Sequence, residues 1–282
     1  MKFARQFTGE LIGTFMMCFL GIGAVATATL FGALTGPGQV GLVWGIAIAL
    51  GIYMTRNLSD AHFNPAVSLC MIFAGRMKIK DLPAYLLGQF CGAFLGAGAV
   101  WLLMADSVAK NLSNNGLTMS TNSIGSAATI WCEVFPNTAN GTVSYLTGMF
   151  AEGFAVFILC LVILSVTCDH NKGKVSANMA PLFIGLTITV LICVVGPLTD
   201  AGLNPARDLM PRVVAMMVGW SSISFGNNIF ECIMVYTVAP LIGGIVAALA
   251  YRFIVMPLHK KANKDMMAMA EDMAEDMMEM ED

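Results

Sequence analysis

Two short stretches of this sequence, SDAHFNPAV at Ser59–Val67 and TDAGLNPAR at Thr199–Arg207, share the pattern Asp-Ala-x-x-Asn-Pro-Ala. Asparagine commonly caps a helix, and proline fits the first helical position, where no N–H is needed. One copy would therefore indicate only a helix start. Two copies, 140 positions apart, indicate a duplicated element of the fold. The repeated tripeptides are Asn64, Pro65 and Ala66 in the first copy and Asn204, Pro205 and Ala206 in the second.

The composition is typical of a membrane protein. Of the 282 residues, 57% are hydrophobic and 12% are charged, whereas about a quarter are charged in soluble domains. Roughly 20 apolar residues cross a bilayer, so the long uncharged runs predict six spans. A secreted soluble protein with a signal peptide at 1–28 is disfavoured, because five further apolar stretches follow the first. The expected spans lie near 7–31, 40–57, 82–104, 145–167, 179–197 and 231–255.

The distribution of Lys and Arg predicts the orientation. If the N-terminus is cytoplasmic, 12 of these residues lie on the cytoplasmic side, and 3 (Lys110, Arg207 and Arg212) lie on the other. Positive residues near span ends are retained in the cytoplasm. The sequence therefore predicts a multi-pass protein of the cell membrane with both termini cytoplasmic.

The residues after each Asn-Pro-Ala predict a re-entrant half-helix. In the first copy, the uncharged run at 61–75 is too short to cross a bilayer, and the roughly 11 residues from Asn64 to Ala74 make a helix of about 16 Å. The second copy has a similar extent. We therefore expect an all-α membrane protein with six transmembrane helices and two re-entrant half-helices. Three spans per half is an odd number, so the halves form an inverted repeat.

Half-helices that enter from opposite faces would meet near the middle of the membrane. Their N-termini carry partial positive charge, which repels cations, including protons. If each asparagine oxygen is tied to backbone, its amide N–H groups remain free to bind a passing oxygen. The loops leading to the half-helices must run extended, and their carbonyls are tolerated only along a wet path. The loop residues expected to line that path are Asp60, Ala61, His62, Asp200 and Gly202.

Acidic residues lie at matching places in the two halves. Glu10 in GELIGTF recurs as Glu152 in AEGFAVF. We expect both to accept hydrogen bonds from loop backbone that the bilayer cannot satisfy, and we assign Asp208 to the same supporting group. Ion or proton coupling by the two glutamates is the alternative.

The domain organisation follows from these elements. We expect a single membrane channel domain over 1–263, with inverted halves at about 1–105 and 144–258 joined by an exterior loop at 106–144. The remaining residues, 264–282, are rich in methionine and carry eight acids. Such low-complexity segments are most often solvated, so we expect a disordered acidic cytoplasmic tail.

The two motifs and six spans resemble the major intrinsic protein family, the aquaporins and glycerol facilitators, over about 3–255. NPARD, in which Asp208 follows Arg207, and GPLTD are similar to the glycerol facilitator branch. The resemblance implies a passive channel for glycerol and similar small uncharged solutes, with water secondary and with ions and protons excluded. It also implies a homotetramer with one pore per subunit and no cofactor.

The resemblance implies that the narrowest part of the pore lies on the exterior side of the membrane midplane. By position, the residues of this selectivity filter correspond to Trp44, Ile192, Ala201 and Arg207. Arg207 would add a positive charge and a donor, and Trp44 would offer an apolar face to a carbon backbone. The alternatives are that Trp44 faces lipid and that Arg207 pairs with Asp208.

The sequence departs from the family pattern at several of these positions. Water-selective members carry histidine at the position of Ile192, so its absence argues against a narrow water pore. Glycerol facilitators usually have an aromatic residue at Ala201 and glycine at Asp60 and Asp200. A positive φ is expected at both aspartates, which tolerate it better than most residues. We also expect Asp200 to neutralise Arg207 partly.

Other functional classes fit the sequence less well. A secondary transporter of a small polar solute is the alternative, since inverted repeats with broken helices are also a transporter plan. An intramembrane enzyme is disfavoured because no His-Glu-x-x-His or Ser/Lys dyad is present. The eight cysteines form no Cys-x-x-Cys pair and predict no metal site. The expected partners are small uncharged solutes and the lipid bilayer, and we expect no nucleic acid.

Overall fold

All regular structure in the described chain is helical. The structure is a computed structural model that describes residues 1–119, 127–133, 143–220, 224–226 and 228–281. The first half contains α1 (Lys2–Phe31), α2 (Gly36–Thr55), α3 (Pro65–Phe73) and α4 (Leu82–Asn114), with a 3₁₀ turn at Ile79–Asp81. After a 3₁₀ turn at Ala127–Ile130, the second half contains α5 (Tyr145–Val166), α6 (Ala180–Thr199) and α7 (Pro205–Val218). The last helix consists of α8 (Ile229–Ile233), α9 (Ala239–Ala250) and α10 (Met256–Glu281), joined by π-helical turns at Met234–Val238 and Tyr251–Val255.

Six helices of the described chain are long and apolar enough to cross a membrane, which confirms the predicted number. They are α1, α2, α4, α5, α6 and the last helix. Among the first five spans, the largest difference from the predicted boundaries is in α4, which continues past residue 104 to Asn114. Val108 and Leu112 on this extension are buried, so apolar packing stabilises the extra turns despite the nearby charges.

The two halves repeat the same packing. α1 packs along α4 and α2, and α5 packs along α9 and α6. Each half-helix packs on a span of the other half, α3 on α9 and α7 on α4. α2 and α6 contact each other across the repeat. Because each half has three spans, the halves cross the membrane in opposite senses, and the predicted all-α fold with two half-helices is confirmed.

The half-helices begin and end where the local sequence predicts. α3 has 9 residues and α7 has 14, which gives lengths of about 14 and 21 Å, too short to cross ~30 Å of hydrocarbon. Proline occupies the first position of each. α3 is followed by Gly75 at φ 75°, and α7 ends at Gly219 at φ 127°. These backbone angles suit glycine, which has no Cβ to clash, and they stop both helices inside the membrane domain.

The spans pack closely through glycines. A Cβ on Gly243 of α9 would collide with the carbonyl oxygen of Gly153 on α5. In the other half, a Cβ on Gly88 of α4 would lie 2.6 Å from the carbonyl oxygen of Phe7 on α1. Helices in lipid associate mainly by close packing of this kind, because the hydrophobic effect does not drive one span against another.

The C-terminal segment differs from the expected disordered tail, because the structure continues the last helix as α10 to Glu281. Methionine, alanine and glutamate are good helix formers. The segment also extends an existing helix, so it avoids the cost of forming a first turn. Met267, Met269 and Met273 are exposed, so local propensity rather than packing accounts for the helix. The proposed domain boundaries themselves stay a prediction.

The backbone of Gly243 lies directly against the backbone of Gly153, so a side chain at position 243 has no space. We therefore expect Gly243→Val to lower the free energy of unfolding by about 1–3 kcal/mol, the usual cost of overpacking. Thermal unfolding of the detergent-purified protein measures this loss. Gly98→Val is the matched control, since a Cβ on Gly98 meets nothing within 4 Å. An equal loss in both variants would contradict the packing described for α5 and α9.

Candidate functional site

A buried carboxylate holds the loop that leads to the first half-helix. Glu10 of α1 accepts hydrogen bonds from the backbone N–H groups of His62 and Phe63 at 2.9 and 2.7 Å. It also accepts from the Ser59 hydroxyl and the Gln89 amide, each at 2.7 Å. Glu10 is 0% exposed. An unpaired charge at this depth would be costly, and four donors provide the required partners.

The second half repeats this arrangement. Glu152 of α5 accepts from the N–H groups of Gly202 and Leu203 at 2.9 and 2.6 Å, and from the Thr199 hydroxyl at 2.6 Å. It is also 0% exposed. Each glutamate therefore bonds two successive peptide groups just before an Asn-Pro-Ala motif. The loops are thereby tied to spans of their own half.

These bonds accompany a backbone with positive φ angles, which cost of order 1–3 kcal/mol each in non-glycine residues. Asp200 has φ 62°, as expected from the sequence. The same expectation for Asp60 is wrong, since the positive angle in the first half begins one residue later. The reason is that the first loop turns at Ala61, whose N–H donates to the Ser59 hydroxyl, whereas the N–H of Asp60 donates to the Tyr85 hydroxyl. The non-glycine residues with positive φ are Ala61, Phe63, Asp200, Ala201 and Leu203.

Each asparagine of the repeated motif caps its own half-helix. The Oδ1 atom of Asn64 accepts from the N–H of Ala66 at 2.8 Å. The Oδ1 atom of Asn204 accepts from the N–H groups of Ala206 and Arg207 at 3.1 and 3.2 Å. Both asparagines are in extended backbone, as N-cap residues usually are. The amide nitrogens consequently point away from their own helices.

The amide nitrogens bond across the repeat. Asn64 Nδ2 donates to the carbonyl oxygen of Leu203 at 2.9 Å, and Asn204 Nδ2 donates to that of Phe63 at 2.8 Å. The prediction that the amide N–H groups are free is wrong for one of the two on each side chain. The reason is that the carbonyl at the end of each loop accepts one N–H from the opposite asparagine. One N–H per asparagine remains available.

A cavity of about 510 Å³ runs past both asparagines. Its lining combines polar groups with apolar side chains such as Ile48, Ile52 and Leu159. The expected site residues that line it are Trp44, Asp60, Ala61, His62, Asn64, Ile192, Ala201, Gly202, Asn204 and Arg207. The expected site residues outside this lining are Pro65, Ala66, Pro205, Ala206, Asp200, Glu10, Glu152 and Asp208.

Arg207 is fixed between an aromatic ring and a carboxylate. Its guanidinium carbon lies 4.3 Å from the centre of the Trp44 ring, and one of its nitrogens forms an ion pair with Glu133. Both side chains of this pair are 8% exposed, and Trp44 is 3% exposed, so Trp44 does not face lipid. Arg207 is thus paired with Glu133, and the alternative ion pair with Asp208 is wrong. Partial neutralisation of Arg207 by Asp200 stays a prediction.

Asp208 pairs instead with Arg212, one turn further along α7. The Arg212 guanidinium donates to both carboxylate oxygens of Asp208, through Nε at 3.0 and 2.9 Å. It also donates to the carbonyl oxygens of Ser224 and Glu133 at 2.7 and 2.9 Å. Asp208 therefore bonds no Asn-Pro-Ala loop directly, which corrects its grouping with Glu10 and Glu152. It orients Arg212, which in turn holds the segment that carries Glu133.

Comparison with known proteins identifies the family. Residues 1–251 match the family model of the major intrinsic proteins. The chain belongs to the major intrinsic protein family. Its sequence is 34% identical over 252 residues to the glycerol uptake facilitator protein of Escherichia coli (strain K12), covering 88% of this chain and 86% of that protein. It is 32% identical over 252 residues to a propanediol uptake facilitator of Citrobacter freundii, covering 89% and 91%.

A solved structure agrees with this assignment. The X-ray structure of the aquaglyceroporin from Plasmodium falciparum superposes with a TM-score of 0.79 at 29% sequence identity. The match covers 92% of this chain and 99% of that one. The likeness therefore extends over nearly the whole membrane domain of this major intrinsic protein.

Sequence reasoning missed several residues that hold this site of the major intrinsic protein. The Tyr85 hydroxyl accepts from the N–H of Asp60 at 2.9 Å. The Tyr236 hydroxyl donates to the carbonyl oxygen of Thr199 at 2.7 Å. No motif marks these tyrosines. Arg212 could have been found from its i, i+4 spacing to Asp208, whereas Glu133 lies in a loop without any local signal.

We expect Glu152→Gln to lower the free energy of unfolding by about 1–3 kcal/mol. Glutamine keeps one acceptor oxygen, but its NH₂ group then faces a backbone N–H, which loses its partner. Thermal unfolding in detergent, with glycerol flux measured in parallel, tests this. Glu231→Gln in α8 is the matched control, because no described loop hydrogen-bonds its carboxylate. Equal stability of the two variants would remove the supporting role of Glu152.

Proposed function

We propose that this protein is a passive transmembrane channel for glycerol and similar small uncharged solutes, with water as a secondary permeant. The observation that carries the proposal is the cavity that passes both crossed asparagines and the Arg207–Trp44 pair. The glycerol and propanediol uptake facilitators among the relatives support small polyols as the solute class. Such channels move solutes without transforming them, so the protein is not an enzyme.

The lining suits molecules with one hydroxylic edge and one hydrocarbon edge. The remaining amide N–H of Asn64 and of Asn204 can donate to a hydroxyl oxygen, and the loop backbone offers carbonyl acceptors. Ile52 and Leu159 on the apolar wall can contact CH groups. On its hydroxyl edge, a polyol exchanges hydrogen bonds with water for hydrogen bonds with the lining. Its CH edge makes no hydrogen bonds with water, so the free-energy cost of entry is small. An ion finds no such replacement.

We assign the selectivity filter to Trp44, Ile192, Ala201 and Arg207. All four line the same cavity, and the guanidinium over the indole ring places a fixed donor beside an apolar surface. Glu133 compensates the charge of Arg207. The filter therefore discriminates by size and by the split between polar and apolar edges, while the positive ends of α3 and α7 oppose cations further in.

We propose that Glu10 and Glu152 act as loop supports rather than as ion-coupling sites. Both lie outside the cavity lining, and each already accepts several hydrogen bonds. A carboxylate engaged in this way has little capacity left to bind a transported cation. Asp208 supports the exterior mouth through Arg212.

We further propose that the channel lies in the cell membrane as a homotetramer with both termini in the cytoplasm. The distribution of 12 Lys and Arg on one side against 3 on the other supports the orientation. Exposed apolar side chains on the spans, such as Leu102 and Val194, supply surfaces for lipid and for neighbouring subunits. We assign no cofactor, metal ion or nucleic acid to this function.

Stopped-flow light scattering of proteoliposomes tests the proposal. Glycerol and propanediol should cross faster than in protein-free liposomes, with water measured in the same vesicles. The initial flux should rise nearly linearly with solute concentration and should not respond to proton or sodium gradients. Saturable, gradient-driven flux would instead indicate a secondary transporter.

Arg207→Gln is expected to increase proton leakage, because the buried carboxylate of Glu133 then loses its partner and leaves negative charge at the mouth. Adding Glu133→Gln should return the leakage towards its original value. A pH-sensitive dye enclosed in proteoliposomes measures both effects. Lys110→Gln, at the exterior end of α4, controls for the loss of a positive charge elsewhere. If the proton leakage of the double variant equals that of the single variant, the pairing of Arg207 with Glu133 is contradicted.

Ile192→Phe should narrow the filter and reduce the flux of a five-carbon polyol relative to glycerol by about tenfold. The added ring volume enters the cavity, where a longer solute must pass Trp44 and Arg207. Val194→Phe is the matched control on the same helix, because Val194 is 65% exposed on the outer surface. Unchanged flux ratios in Ile192→Phe would show that this position does not limit solute size.

A further inference from the structure

A second cavity, of about 290 Å³, lies where the start of α1 meets the loops that precede α3 and α4. Five positively charged side chains line it, so we call it the basic pocket. Its volume is comparable with that of the smallest ligand sites, roughly 300 Å³. The lining cations are Lys2, Arg5, Arg56, Arg76 and Lys78.

Acidic residues only partly compensate this charge. Asp60 and Asp81 are the two carboxylates in the lining. Asp81 pairs with Lys2 at 2.6 Å. Asp60 accepts a hydrogen bond from the Tyr85 hydroxyl at 3.0 Å. Five cations against two carboxylates leave the basic pocket with an excess of positive charge.

Two of the three arginines, Arg56 and Arg76, donate hydrogen bonds to neutral oxygens. Arg56 donates to the carbonyl oxygen of Ala177 at 2.7 Å, and Arg76 donates to the Thr167 hydroxyl at 2.6 Å. The guanidinium groups are thus hydrogen-bonded to neutral oxygens rather than to carboxylates. A guanidinium has five N–H donors, so each arginine retains donors for a further acceptor.

Arg5 and Lys78 are the remaining two cations that line the basic pocket. The ion pairs found within the described ranges are formed by Lys2, Lys174, Arg207 and Arg212. Arg5 and Lys78 take part in none of these. The two side chains are exposed and border the same cavity. An anion in the basic pocket would therefore meet cations from α1, from the loop after α2 and from the loop after α3.

We propose that the basic pocket binds a phosphate group. Several cations converge there from different elements, which suits a compact anion with several acceptor oxygens. Arginine forks match the geometry of phosphate oxygens and bind two of them at once. The lysines add point charges around them. A single carboxylate, with two oxygens and one charge, would use fewer of these donors.

The location gives the bound group access to the pore entrance. Arg56, Asp60 and Arg76 line both the basic pocket and the 510 Å³ cavity. Two kinds of molecule could carry the bound phosphate group: a soluble phosphate compound, or an acidic phospholipid through its headgroup. Binding requires no permeation, so this proposal stands or falls separately from the channel function.

Two binding measurements on the full-length protein distinguish the sources. Isothermal titration with inorganic phosphate in neutral detergent, at constant ionic strength of about 0.15 M, tests the soluble form. Native mass spectrometry after incubation with micelles containing phosphatidic acid, against phosphatidylcholine, tests the lipid form. The test variant is Arg5→Gln/Lys78→Gln, and the matched control is Lys260→Gln/Lys261→Gln, which removes two positive charges from α10.

We expect binding in at least one measurement, weakened at least about tenfold in the test variant and less than twofold in the control. The measurement that shows binding identifies the source. Glycerol flux of both variants should equal that of the unaltered protein, because neither pair lines the pore cavity, and this verifies folding. The single variant Lys78→Glu should weaken binding further than Lys78→Gln. Absence of binding in both measurements, or equal weakening in the two double variants, would overturn the proposal.

Discussion

Peptide groups that lie deep in a bilayer outside a helix impose the strictest constraint on this structure. No lipid atom can bond them, and each unsatisfied group costs several kcal/mol. Glu10 and Glu152 meet this need by each accepting two successive loop N–H groups. Because both glutamates belong to long spans, the loops take their position from the most rigid part of the fold. The half-helices can begin in mid-membrane only under this condition.

The crossed asparagine bonds add a second condition. Each amide both caps its own half-helix and binds the last loop carbonyl of the other half. The two halves are thereby aligned at the level of single atoms. The same side chains supply the donors that face the cavity, so a change that moves a pore donor also disturbs the contact between halves. We therefore expect permeation and stability to be coupled at Asn64 and Asn204.

The features that sequence predicts here are local or repeated. Uncharged run lengths predict six spans, and the duplicated Asn-Pro-Ala predicts two capped half-helices, because both signals lie within a few residues of the element they describe. The crossed amide bonds, the Glu133–Arg207 pair and the bond from Tyr236 to Thr199 join distant segments. No periodicity or motif encodes such pairings. The helix in the C-terminal segment was missed although its signal is local, because low complexity was taken to indicate disorder while the helix propensity of methionine, alanine and glutamate was not considered.

The surroundings of Arg207 show how a buried cation can be accommodated in a channel for neutral solutes. An isolated guanidinium at the exposure of Arg207, 7%, would be costly in this environment. Glu133 and the Trp44 ring compensate it, and Asp208 with Arg212 fixes the segment that carries Glu133. The mouth consequently has directed N–H donors but little net charge. With alanine at position 201, we expect discrimination to rest on the width of the cavity and on the polar and apolar groups that line it, while the charges keep the donors in place.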